Sequence, residues 1–148
     1  MESATSEPQF YLRVARDFLN QAERALTSEI FSLAALGLVL AVENSILSVI
    51  SCFKSPSTIG DPVLELKFVV GERSEVFEDA ISSLDKLIEV SQYVTYTYRD
   101  MLMRGNYADG KTPSEILSLE ELRELRASVE KAIDIASSLV EKCQVPTL

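Results

Sequence analysis

The chain has 148 residues and a mass of 16.4 kDa, the size of one globular domain and too short for two ordinary ones. Its 47% apolar and 25% charged content places it among chains that fold. Fourteen basic and 23 acidic side chains give a net charge of −9, which excludes a uniformly basic nucleic-acid binder and confines any phosphate contact to a local cluster. The absence of histidine excludes a Ser-His-Asp triad, a Cys-His pair, an imidazole base and any His-ligated metal.

The hydrophobic pattern is helical almost throughout. Tyr11, Val14, Ala15, Phe18, Ala22, Ala25 and Leu26 recur at three- and four-residue steps and predict a first amphipathic helix. From about Ser28 to Phe53 the chain is apolar on nearly every side, and its run Phe31–Phe53 carries Glu43 as its one charge. Such a stretch is either the centre of a bundle or a membrane span. Adjacent Glu43 and Asn44, four serines and the lack of a flanking basic cluster favour the buried central helix.

The run from Lys54 to Pro62 holds two prolines, a glycine and small polar residues, which is loop chemistry. Asp61 before Pro62 is a helix start and predicts a short helix to about Val70, ended by Gly71. A long helix follows to about Met103, with Phe77, Ala80, Ile81, Leu84, Leu87, Ile88, Val94, Tyr98, Met101 and Leu102 on one side. The β-friendly run Tyr93–Tyr98 keeps this helical register. After the break at Gly105–Gly110, two capping boxes stand in succession, Thr112 with Glu115 and Ser118 with Glu121. The first opens a short turn. The second opens a last long helix whose apolar face is Leu119, Leu122, Leu125, Val129, Ala132, Ile133, Ala136, Leu139 and Val140. Val145, Pro146 and the end of the chain should fray.

The expected fold is all-α, an up-and-down four-helix bundle with an additional short helix. It forms a single domain over 1–148 with a core from about 9 to 143. Cys52 and Cys143, 91 positions apart in apolar stretches, match no paired-cysteine spacing and read as separate buried thiols. Met1–Pro8 lacks an apolar core, the wrong pattern for a secretory signal, so a cytoplasmic location is expected. No cofactor, metal or membrane is expected.

Residues 98–115 are the most informative stretch. Arg99, Arg104 and Lys111, interleaved with Tyr96, Tyr98, Asn106 and Tyr107, place cations, amide donors and rings around one helix end. Arginine there suits bidentate capture of a phosphate or a carboxylate. The alternative is a solvated surface paired with Asp100, Asp109 and Glu115. Glu43 has two readings as well, a polar cleft shared with Arg99 or Arg104, or a rim and register position.

The order of an amphipathic helix, an all-apolar helix centred on Glu43-Asn44, a Pro-bearing loop and a long helix ending in R-G-N-Y-A-D-G resembles the HEPN family (higher eukaryotes and prokaryotes nucleotide-binding). The likeness covers about Gln9 to Lys142. It implies a homodimer in which equivalent helix ends face each other, doubling Arg99 and Arg104. It also implies a nucleotide or RNA ligand and a nucleotidyltransferase partner in a toxin-antitoxin-like pair. The binding residues carried over are Arg99, Arg104, Asn106, Tyr107, Lys111, Glu43 and Asn44. The family's catalytic pair is an Arg followed four to six residues later by a His. Arg104 occupies the first position, but Asp109, Gly110 and Lys111 span the second. The expectation is therefore binding without catalysis, with ribonuclease activity through Arg104 and Asp109 or Tyr107 as a lesser alternative. A structural or protein-interaction bundle without a nucleotide is the other reading.

Overall fold

A computed structural model describes residues 7–57, 60–72 and 80–143. Among these the chain is helical without a strand, in the order α1 (Glu7–Thr27), α2 (Phe31–Ile50), α3 (Pro62–Glu72), α4 (Ile81–Arg104), α5 (Pro113–Ile116) and α6 (Leu119–Cys143). The predicted positions Phe77, Val145 and Pro146 lie outside the described residues.

The apolar stripe of α1 buries Leu12, Ala15, Ala22, Ala25 and Leu26. The helix ends in a Schellman turn: the Ile30 amide donates to the Ala25 carbonyl at 2.8 Å and the Glu29 amide to that of Leu26 at 3.0 Å. Glu29 takes the left-handed conformation, φ 59°, that usually falls to glycine. This turn folds α2 back along α1. Gly37 lets the two helices close: a Cβ there would stand 3.1 Å from the Cβ of Ala22 and from the Phe18 carbonyl oxygen.

Helix α2 is central, packing against α1, α3, α4, α5 and α6. Leu38, Val42, Ile46, Val49 and Ile50 are buried among the facing leucines and valines of its neighbours. The buried Ser45 and Ser48 hydroxyls donate to carbonyls of their own helix, Ala41 at 2.9 Å and Ser45 at 2.5 Å, so neither is left unsatisfied. With a mean hydropathy of 2.1, α2 is long and apolar enough to cross a bilayer, yet two thirds of it lies inside the bundle.

Helix α6 buries the eight predicted positions from Leu122 to Val140, and Ser118 caps it by accepting the Glu121 amide at 3.2 Å. The run Tyr93–Tyr98 is helix within α4. Its buried Tyr98 donates to Glu121 at 2.9 Å, tying α4 to the first turn of α6.

Four expectations are corrected. Cys52 and Cys143 are not separate thiols: they form a disulfide between the turn after α2 and the last turn of α6, because these helix ends lie side by side. Gly71 does not stop α3, which runs on to Glu72; the glycine faces open space. The Thr112 hydroxyl does not cap α5 but donates to the Glu115 carboxylate at 2.8 Å. Ile81, placed on the apolar side of α4, is 42% exposed.

Candidate functional site

Helix α2 carries more apolar side chains than its neighbours cover. Ile30, Leu33 and Leu36 remain 44–54% exposed. Met103, near the end of α4, is 79% exposed. Together with Leu40 and Leu102 they line an open cleft of about 510 Å³ between α2 and α4. The two helices run antiparallel along it. Near the start of α2, Ser32 shares a hydrogen bond of 2.8 Å with Ser114 of α5, just after α4. Eleven positions later, Glu43 meets Arg99.

The Arg99–Glu43 pair closes one end of the cleft. Arg99 Nη1 donates to Glu43 Oε1 at 3.0 Å, and the Glu43 side chain is 14% exposed against 56% for Arg99. Burial raises the pKa of Glu43 above the ordinary carboxylate value. Arg99 opposes that shift and the charge of Asp61 adds to it. Asp61 sits at the head of α3, where Oδ1 accepts the Val63 amide at 2.9 Å. Its Oδ2 accepts the Tyr96 hydroxyl at 2.5 Å, which pushes the phenol pKa upward. Glu43, Asp61, Tyr96 and Arg99 thus join α2, α3 and α4 in one polar cluster. Arg99 uses one of its five N–H donors on Glu43 and keeps a half-exposed fork that suits a phosphate or carboxylate.

The other arginine-rich elements lie elsewhere on the helix end. Arg104 pairs with Asp100 one turn back at 2.7 Å, both exposed. Beyond it, Gly105 adopts φ 73° as the chain leaves α4, with its amide on the Met101 carbonyl at 2.8 Å. A tight hairpin follows. The Asn106 and Lys111 backbones exchange hydrogen bonds of 2.9 and 3.0 Å. The Asn106 side chain donates to Asp109 at 2.8 Å and accepts that residue's amide at 3.3 Å. Tyr107 projects from the tip, 97% exposed.

Of the residues singled out by sequence, Glu43 and Arg99 therefore meet in the cleft. Arg104 lies at the end of the same helix, and Asn106, Tyr107, Asp109 and Lys111 belong to the hairpin. Asn44 turns away from the cluster: its side-chain amide donates to the Leu40 carbonyl of its own helix at 2.8 Å. Sequence reasoning passed over Asp61 as a site residue and named Tyr96 only as one ring of the arginine-tyrosine cluster, since the two are 35 positions apart and meet only in the fold. It also passed over Leu33 and Leu36, for which a signal existed: α2 is apolar around its whole circumference, more than contact with α1 and α6 alone requires. No group of three or more His, Cys, Asp or Glu able to hold a metal occurs among the described residues.

Fold and site define an all-helical bundle with an open, largely apolar cleft closed by one ion pair. The chain matches no protein-family model, no curated protein and no solved structure.

Proposed function

We propose that this protein is a HEPN-like, up-and-down four-helix bundle, built from α1, α2, α4 and α6 with α3 and α5 as short additions. On this reading it acts as a non-catalytic homodimer that binds a nucleotide or RNA, or serves a nucleotidyltransferase partner. The observation that carries the reading is the α2–α4 cleft. Its exposed Leu33, Leu36 and Met103 offer apolar surface for a second copy, and Arg99 stands at its end with donors to spare. Pairing two copies across this face brings two Arg99 and two Arg104 side chains toward a shared anion. Their local field outweighs distant acidic charge beyond a screening length of about 8–10 Å.

A catalytic role is not part of the proposal. Arg104 is engaged with Asp100, and the Asp109 carboxylate is held by Asn106 within its own turn. A second reading, a protein-interaction bundle without a nucleotide, draws on the same apolar lining of the cleft.

Binding of a labelled single-stranded RNA at 50 and 300 mM salt, with light scattering on the same sample, tests the proposal. A dimer with steeply salt-sensitive binding and intact RNA supports it. A monomer at micromolar concentration rejects the dimer, salt-insensitive or absent binding selects the protein-interaction reading, and shortened RNA restores catalysis.

A further inference from the structure

The shape of the α2–α4 cleft selects what can fill it. Its apolar wall runs along α2 from Ile30 through Leu33 and Leu36 to Leu40, and Leu102 and Met103 of α4 complete it. From Ile30 to Glu43 a helix rises about 20 Å. The cleft's 510 Å³, spread over that length, leaves a section of about 25 Å². One extended hydrocarbon chain fits such a section. The body of a helix, about 10 Å across with its side chains, does not, and neither do the paired chains of a bilayer lipid. Polar groups stand only toward the ends of this lining: Ser32, already bonded to Ser114, and the Glu43–Arg99 pair. Arg99 is the one cation among the lining residues and the one with N–H donors to spare.

We propose that the cleft of a single copy binds a free medium-chain fatty carboxylate, with its head on the unused donors of Arg99 and its chain along Leu40, Leu36 and Leu33 toward Ile30. The head must accept hydrogen bonds, because the group that meets it is a guanidinium fork. It must also carry little charge, since Glu43 already pairs with Arg99 and Asp61 adds a second negative charge to the cluster. A carboxylate brings one charge, whereas a phosphate monoester brings about −1.5 to −2. At about 1.2 Å per bond of an extended chain, ten to twelve carbons occupy most of the apolar wall. The ligand covers the surface that the proposed dimer buries and would therefore displace a second copy; that consequence alone rests on the dimer reading.

Isothermal titration of the full chain at pH 7 with decanoate, octanoate and decanol, each below the concentration at which it aggregates, tests this inference. Light scattering on the same samples reads the oligomeric state, and circular dichroism checks the helical content of each variant. Decanoate should bind once per chain, and octanoate about tenfold more weakly, because two buried methylenes are lost. Arg99→Gln should weaken decanoate at least about tenfold and leave decanol within about twofold, which separates loss of the head contact from loss of the fold. Leu33→Glu, at an exposed position of the wall, should weaken both. Absence of saturable decanoate binding overturns the inference, as does binding that Arg99→Gln leaves unaltered. A dimer that takes up no decanoate assigns the cleft to the second copy and overturns it too, whereas a monomer that binds decanoate supports the site and rejects only the dimer.

Discussion

The ion pair at the end of the cleft permits a quantitative test. Two unit charges 3.0 Å apart attract by about 5 kcal/mol at an effective dielectric constant near 20. Arg99 is more than half exposed, so solvent screening and side-chain ordering reduce the net coupling to about 1–2 kcal/mol. The two partners are unequal. Arg99→Gln leaves the desolvated Glu43 carboxylate without its cation and should cost about 2 kcal/mol at pH 7. Glu43→Gln leaves Arg99 to water and should cost about 0.5 kcal/mol. The double variant should fall near 1 kcal/mol, less than the sum of the two. The coupling also depends on pH. Because burial raises the pKa of Glu43 in the folded state, the folded chain holds that proton more tightly than the unfolded chain does. The contribution of Glu43 to stability is then greatest at low pH and declines as pH rises from the ordinary carboxylate value through the raised one. Urea unfolding of the four proteins at pH 7 and pH 4 reads both effects. A coupling below about 0.5 kcal/mol at pH 7, or one unchanged at pH 4, refutes the account of Glu43 as a desolvated carboxylate held by Arg99.

Other outcomes follow from single features of the fold. Glu29→Gly should stabilise the chain by up to about 1 kcal/mol in thermal unfolding, since it relieves a left-handed backbone at the α1–α2 turn. Tyr98→Phe should cost about 1.5–2 kcal/mol by the same measurement, because it removes the hydroxyl that donates to the Glu121 carboxylate. Gly105→Ala should destabilise by at least about 1 kcal/mol and disorder the hairpin, as its Cβ would collide with the Lys111 carbonyl oxygen at a positive φ; unchanged amide chemical shifts at Asn106 and Lys111 would contradict this. Tyr107→Ala should leave stability within about 0.5 kcal/mol while weakening RNA binding, and undiminished RNA affinity would remove Tyr107 from the proposed binding surface.

What the sequence reveals here is what repeats locally. The 3.6-residue stripe places α1, α4 and α6, the lone charge in α2 marks its central position, and Asp61-Pro62 marks the head of α3. Relations set by the packing of distant segments are a different matter. Nothing in the spacing of Cys52 and Cys143 announces that two helix ends meet. Burial, the property used to read both as thiols, is equally a property of a bridge. Asp61 reads locally as a helix cap and is one, but its second oxygen serves Tyr96, a partner visible only once α3 lies against α4. The cluster at 98–115 reads as one site because its residues are close in sequence. A helix rotates by about 100° per residue and then ends, so Arg99 turns to the cleft, Arg104 to Asp100, and the rest to a hairpin with its own hydrogen bonds.

The central position of α2 has a consequence for biosynthesis. Its most extensive partner, α1, emerges from the ribosome first, so a helical hairpin can close at once over one side. The opposite side waits for α4 and finally for α6, whose last turn follows α2 by about 90 residues. At translation rates of about 5–20 residues per second, that side stays uncovered for roughly 5–20 s. For that interval the nascent chain displays a 20-residue helix of mean hydropathy 2.1, which chaperones and membrane-insertion machinery both recognise. Slowing synthesis after Ile50, or truncating before α6, should therefore send the product toward aggregates or membranes while leaving every residue of α2 unchanged.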